Sequence, residues 1–384
     1  MKSSFTPKPK LEDTGTTIFT VMSKLSQEYG AINLGQGFPD FDTDPLLLEL
    51  VAKYTAEGKN QYSPLAGLPV LLDAIANKIA RSYGQKLDPS TQICVTAGAT
   101  QALYTAIMAL VHPQDEVIVI EPAYDCYKPQ IELAGGVPVV YQLRYPDYQI
   151  DWDELEKLVN SKTRMIVINT PHNPTGMILS TDDMLALERL VAGKNIVVLS
   201  DEVYEHLIFD GEQHQSVVRY PSLFQQSMAV YSFGKTLHAT GWKLGYIIGP
   251  PQLMDAFKSV HQWNVFCVNS FLQYAIAEYL QTPDHYEKLP NFFQEKRDQM
   301  NTLFEGLPLE PLQSKGTYFQ LFSYEEISDL PDVEFAKYLT QEVGVATIPL
   351  SPFYTGATKD RVVRFCFAKK AETMEKAAAR LSTL

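Results

Sequence analysis

Lys235 lies in the run YSFGKTLHATGWKLG (Tyr231–Gly245), where its neighbours suit three different chemistries. Ser232 and Lys235 have the Ser-x-x-Lys spacing of penicillin-binding enzymes. Gly234-Lys235-Thr236 matches the end of a phosphate-gripping loop. The third possibility is a lysine whose neutral amine condenses with an aldehyde cofactor. The loop reading needs a glycine where Ala229 stands, inside an apolar strand pattern, so the bend that wraps phosphates is missing. The Ser-x-x-Lys reading needs S-D-N and K-T-G triplets elsewhere, and neither occurs. Taken alone, Lys235 would be a solvated loop lysine. Its company decides otherwise.

An imine-forming lysine points to pyridoxal 5′-phosphate, whose ring draws off electrons when its nitrogen is protonated. That state requires a carboxylate sheltered from water. Asp201 closes the apolar run IVVLS (Ile196–Ser200), where an unpaired charge would be costly; the plainer role for it is a turn or helix cap. The cofactor's phosphate calls for backbone N–H groups at a helix start, hydroxyls and a cation. Gly98-Ala99-Thr100 opens a helical pattern, and Ser232 and Lys243 can supply the rest.

The elements that would carry these residues are short apolar runs: Ile93–Thr96, Val117–Ile120, Pro138–Leu143, Met165–Asn169, Ile196–Ser200, Met228–Ser232 and Leu244–Gly249. Apolar residues at successive positions predict strands buried on both faces. Helical patterns such as Thr100–Leu110 and Thr181–Ala192 fall between them, which predicts an α/β layer with a mostly parallel sheet. Such sheets bind ligands at the carboxyl ends of their strands. Gly98, the turn His172–Gly176, Asp201 and Lys235 all come directly after strand patterns. An amphipathic helix is expected at Ile18–Glu28. After about Tyr286 longer, more charged helices (Leu289–Phe304, Val333–Val343) and the strands Tyr318–Phe322 and Val362–Phe367 predict an α+β unit. The domain reading is an N-terminal arm with part of the small domain (1–44), a large cofactor-binding α/β domain (45–285) and a small α+β domain (286–384).

The chain has 384 residues and a formal net charge of −13, a balance that disfavours nucleic acid and anionic membranes as partners. Its four cysteines lie far apart without a CxxC pair, and its seven histidines show no ligand spacing, so no metal is expected. MKSSFTPKPKLED has no apolar leader pattern and no run approaches 18 apolar residues, so a cytoplasmic, soluble protein is expected.

Across nearly its whole length the chain resembles fold-type I pyridoxal-phosphate enzymes, the class I/II aminotransferases. The matching segments are NLGQGFPDF, NQYSPLAGLP, TAGATQAL, EPAYDCY, NTPHNPTG, SDEVYEHLIF, SFGKT…GWKLGY, KGTYF and VRFCFAK, in family order. Within the family it is most similar to the branch of bacterial methionine aminotransferases and kynurenine/glutamine aminotransferases (cysteine-S-conjugate β-lyases). The resemblance implies the aspartate aminotransferase-like fold, a mostly parallel seven-stranded large domain with a smaller α+β domain.

It also implies roles. Lys235 forms the imine and carries the proton; Asp201 pairs with the ring nitrogen. Tyr204 and Asn173 bond the ring's phenolic oxygen, and Tyr124 stacks on the ring. Gly98, Ala99, Thr100, Ser232 and Lys243 hold the phosphate, Lys243 standing where many relatives carry arginine. Tyr62 matches a residue lent across a homodimer interface. Arg364 grips the substrate carboxylate, with Asn173 and the Gly37 N–H assisting and Arg361 as competing candidate. Phe19, Tyr127 and, from the other subunit, Phe266 line the side-chain pocket. Cys267 occupies a position where kynurenine-type relatives have histidine, which favours a small apolar group such as a thioether. The expected activity is amino-group transfer from an apolar, sulfur-containing or aromatic amino acid, methionine foremost, to a 2-oxo acid. A β-lyase, a kynurenine/glutamine transaminase and a non-catalytic cofactor-binding regulator are the alternatives.

Overall fold

The computed structural model describes residues 8–11 and 15–384. The leader reading of Met1–Asp13 falls largely on residues outside that range. Helix Ile18–Glu28 starts at Thr17, whose hydroxyl accepts the Thr20 N–H. Its apolar stripe of Ile18, Met22 and Leu25 turns to the core, and the chain then enters β1 (Ile32–Asn33).

The main sheet is built from β2 (Ile93–Thr96), β3 (Glu116–Glu121), β4 (Val137–Gln142), β5 (Thr163–Asn169), β6 (Val197–Asp201), β7 (Ser227–Ser232) and β8 (Gly245–Ile248). Their order is β2-β8-β7-β6-β5-β3-β4, with β8 antiparallel to both its neighbours and the other pairings parallel. Both faces are covered, which is why the strands are apolar at successive residues. One face, with Val117, Val119, Val167, Leu199 and Val230, packs on helix Ala99–Leu110 and on Phe257 of helix Pro251–Asn264. The other, with Ile118, Ile166, Ile168 and Val198, joins a core that continues into the C-terminal half. Each such fully buried side chain contributes roughly 1.5–3 kcal/mol. The edge strand β4 is only partly buried.

After helix Leu289–Phe304 come β9 (Glu310–Pro311), β10 (Phe319–Ser323), β11 (Val345–Ala346), β12 (Ile348–Pro349) and β13 (Val362–Cys366). A four-stranded antiparallel sheet runs β12-β13-β10-β9. β1 pairs in parallel with β11, Ile32 opposite Val345, so the start of the chain is stitched to its late strands. The helix expected at Val333–Val343 begins at Asp332 and widens into a π-helical turn over Leu339–Val343. The architecture is therefore an α/β layer on a mostly parallel seven-stranded sheet, joined to a smaller α+β unit. Strand register brings polar residues together at one end of the main sheet. Asn169 at the end of β5 lies opposite Asp201 at the end of β6, and Ser232 at the end of β7 lies opposite Gly245.

Candidate active site

The carboxyl ends of β5, β6 and β7 and the start of helix Ala99–Leu110 surround a cavity. Lining it are Gly98, Ala99, Thr100, Tyr124, Tyr127, Asn173, Asp201, Tyr204, Ser232, Lys235 and Lys243, together with Asn169 and Thr240. Eleven positions singled out in the sequence thus meet in one place.

Asp201 is buried and accepts from two donors, the Tyr127 hydroxyl at 2.7 Å and the Val203 N–H at 3.3 Å. Burial pushes its carboxyl up to about 6, against the pull of the Tyr127 hydrogen bond. Among the described residues no cation comes within ion-pair distance of it. The loop after β6 is anchored from behind. Glu202 accepts from Ser200 Oγ at 2.8 Å, Val217 N–H at 3.1 Å and Tyr231 Oη at 3.1 Å, while Glu205 pairs with Lys78 at 2.7 Å. The three-residue spacing along this turn sends Asp201 and Tyr204 to the cavity and Glu202 and Glu205 into the buried network. Asn169 braces the other side: its amide donates to the Asp201 carbonyl at 2.8 Å and its Oδ1 accepts the Asn173 N–H at 2.8 Å.

Lys235 stands on the one-turn helix Phe233–Thr236 directly after β7. Its Nζ donates to Tyr318 Oη at 2.7 Å and to the Gly37 carbonyl at 3.1 Å. Burial, with the charges of Arg364 and Lys243 acting the same way, lowers the amine to about 8, so a usable neutral fraction exists near neutral pH. Tyr204 sits edge-on to Tyr318, ring centroids 5.1 Å apart, and burial pushes its phenol well up.

Gly98 caps helix Ala99–Leu110 at φ +77°, a left-handed conformation that glycine takes without strain. No side chain caps this helix start. Its leading N–H groups and the Lys243 ammonium, close beside Gly98, make an anion site at the cavity floor.

Arg364 lies on β13 and is almost wholly buried. Nη1 donates to Asn173 Oδ1 at 2.6 Å and Nη2 to the Gly35 carbonyl at 3.1 Å, while Nε is buried without a partner. Its guanidinium lies 3.7 Å from the centroid of Phe319 and is flanked at longer range by Phe19 and Phe353. Burial lowers it to about 10, which leaves it charged. The competing candidate, Arg361, is bonded to Asp329 at 2.7 Å on the surface. The Gly37 carbonyl faces Lys235, and a Cβ at Gly37 would meet Phe319 at 2.7 Å.

Tyr62 and Phe266 do not line this cavity. They form an edge-on pair 5.6 Å apart on the surface, 86% and 46% exposed. The Tyr127 ring lines the cavity, but its hydroxyl is committed to Asp201, a bond that spacing does not reveal. Sequence reasoning gave Asn169, Thr240 and Tyr318 no role. Tyr318 and Asn169 lie in KGTYF and NTPHNPTG, so the segments were visible and the contacts were not.

The residues fit pyridoxal 5′-phosphate: an unpaired buried carboxylate, an amine of lowered basicity and an anion cradle share one cavity. Comparison with known proteins points in the same direction. The model for aminotransferase class I and II matches residues 29–381. The chain is 47% identical to methionine aminotransferase of Escherichia coli over 379 residues, 98% of each chain. It is 33% identical to human kynurenine–oxoglutarate transaminase 3 over 98% of this chain and 90% of that one. An Escherichia coli crystal structure that identifies a methionine aminotransferase function superposes with a TM-score of 0.97 at 47% identity, covering 99% of this chain and 100% of that one.

Proposed function

The chain belongs to the class I and II aminotransferases, which use pyridoxal 5′-phosphate, and from that premise we propose that methionine and similar apolar amino acids are its amino donors. The observation that carries this reading is the set Lys235, Asp201, Asn173 and Tyr204 around one cavity, with aromatic walls beside Arg364. When bound, the cofactor supplies a covalent handle for the amino group and an electron sink.

Lys235 would hold the cofactor through its amine and, once released from it, would take and return the proton at the donor's Cα. Asp201 supplies the negative charge that keeps the ring nitrogen protonated, and the Tyr127 hydroxyl and Asn169 hold it in place. Tyr204 and Asn173 serve the phenolic oxygen, Tyr124 the ring face. Gly98, Ala99, Thr100, Ser232 and Lys243 hold the phosphate. Arg364 binds the carboxylate common to all donors, with Asn173 as its hydrogen-bonded neighbour. Phe19 beside Arg364 and the ring of Tyr127 offer an apolar side-chain wall, and among the described residues lining the cavity no arginine offers a site for a distal carboxylate. With the cofactor bound, the same residues would serve the return half-reaction, Arg364 binding the carboxylate of the 2-oxo acid that accepts the amino group.

The active unit is a homodimer in which Tyr62 and Phe266 complete the neighbour's site. Their joint exposure on the surface, with Trp263 nearby in sequence at 84% exposure, supports this. The free, scattered cysteines support a reducing cytoplasm; no helix among the described residues is long and apolar enough to cross a membrane. Identity to kynurenine–oxoglutarate transaminases favours kynurenine as the second donor class; glutamine transamination and β-elimination from cysteine conjugates are the alternatives that the family resemblance implies.

A panel of amino acids against several 2-oxo acids, compared by kcat/KM, tests the donor class. Methionine and the aromatics should lead. Aspartate ahead of them would overturn the pocket reading, and pyruvate release from a cysteine conjugate without added 2-oxo acid would promote the lyase.

A further inference from the structure

We infer that Tyr318 Oη and the Gly37 carbonyl form a holding site for the Lys235 amine whenever that amine is not bonded to the cofactor, which makes Tyr318 a residue of the proton-transfer machinery. The inference rests on Lys235 being the imine-forming lysine. A tethering lysine must also work while free: its nitrogen has to stay aimed at the donor's Cα although it rides on a flexible four-carbon stem. An unheld amine would spread over many rotamers, and catalysis by a positioned base depends on avoiding that.

The geometry supplies the hold. Nζ donates to Tyr318 Oη at 2.7 Å and to Gly37 O at 3.1 Å, and Tyr318 Oη itself donates to Gly37 O. The three atoms close a triangle. Because the phenolic hydrogen is spent on the Gly37 carbonyl, the phenol offers Lys235 a lone pair and acts purely as acceptor. Two hydrogens of the nitrogen are thereby fixed, and its remaining position is directed away from both oxygens. Tyr318 is therefore no proton relay: a backbone carbonyl cannot pass its hydrogen onward, and burial keeps the phenol far above its ordinary range.

Both oxygens are themselves held. Tyr318 is fully buried among the rings of Tyr204, Phe293 and Phe319, at centroid distances of 5.1, 6.0 and 5.0 Å. Before it, Thr317 sits at φ +69°, a left-handed conformation that is rare and costly for a β-branched residue. That turn is clamped by Thr317 N–H on Leu207 O at 3.0 Å and Lys315 N–H on Gly176 O at 2.8 Å. Gly37 packs so closely on Phe319 that any side chain there would collide. Strain concentrated just before the residue that meets the reactive amine is what a functional constraint looks like.

The test is Tyr318→Phe, which removes one oxygen and keeps the ring. In the holoenzyme, bound cofactor and Tm should stay near wild type. The kcat should fall on the order of ten- to a hundredfold while donor KM changes little, and the isotope effect with α-deuterated donor should grow. In the apoenzyme, competitive acetylation read by mass spectrometry should show the Lys235 peptide half-labelled at lower pH than in wild type, because the ammonium has lost an acceptor. Wild-type kcat, isotope effect and labelling pH in the variant would overturn the inference. A wild type that takes up no cofactor would instead sink the reading of Lys235, which the apoenzyme labelling does not use. Should Tyr318→Phe fail to fold, 3-fluorotyrosine placed at 318 weakens the acceptor without deleting it. The kcat, the isotope effect and the labelling pH should then shift in the same directions, and their constancy would overturn the inference.

Discussion

Tyr127 donates its hydroxyl hydrogen to Asp201 Oδ2 across 2.7 Å, tying the helix Tyr127–Leu133 to the carboxylate at the end of β6. The bond opposes the burial that raises this carboxyl to about 6. A raised carboxyl means the folded chain holds a proton that the unfolded chain has released. Asp201 therefore costs stability progressively as pH climbs from about 4 to 6, and a cationic ring nitrogen offsets that cost.

Removing the donor should carry this further. In Tyr127→Phe the Asp201 carboxyl rises, so the acid limb of the kcat/KM profile moves to higher pH. Cofactor affinity should fall about tenfold, in line with the loss of a hydrogen bond to a charged group. Equilibrium dialysis at pH 6 and 8 checks both, with the larger loss at pH 6.

Lys235 gives a pH prediction of opposite sign. Its amine is lowered from 10.5 to about 8, so between those values the unfolded chain binds the extra proton. The cost of burying it is present in full below pH 8 and disappears as pH rises towards 10.5. Apo Lys235→Met should be more stable than apo wild type at pH 7 by on the order of 2 kcal/mol. Denaturation in urea should show the two curves converging in alkali.

Arg364 and Arg361 separate cleanly. Arg364→Lys loses the planar fork and its stacking on Phe319, so KM for every amino donor should rise about a hundredfold. Arg361→Lys alters a surface pair and should change KM by less than about twofold. Steady-state kinetics with methionine and one aromatic donor distinguishes them.

Gly37→Ala places a Cβ 2.7 Å from Phe319 Cζ, and Phe319 is the face on which Arg364 lies at 3.7 Å. Overpacking of this kind costs about 1–3 kcal/mol. A lower Tm together with a higher donor KM is expected, read by thermal melting and kinetics.

The sheet was legible because its chemistry is one-dimensional. Runs such as Val117–Ile120 and Met165–Asn169 are apolar at nearly every position, and only a two-faced burial explains that. Asp201 stood out for a related reason, as a charge at the end of an apolar strand. Gly98, Lys235 and Arg364 became legible through motif order. What stayed hidden were contacts between distant segments: Tyr127 with Asp201, Tyr318 with Lys235, Asn169 bridging β5 to β6. Each depends on side-chain direction and register across a gap of tens to over eighty residues, which no local period encodes. The π-helical turn at Leu339–Val343 was missed because an apolar helical period barely changes when one turn widens.

The proposed function stands on a covalent bond between Lys235 and pyridoxal 5′-phosphate. Borohydride reduction of the holoenzyme and subsequent peptide mapping test it most directly. The reduced phosphopyridoxyl group should be found on the peptide carrying Lys235, with loss of the visible absorption band, and neither change should occur in Lys235→Ala. A label on another lysine, or a band that survives in Lys235→Ala, would contradict the account.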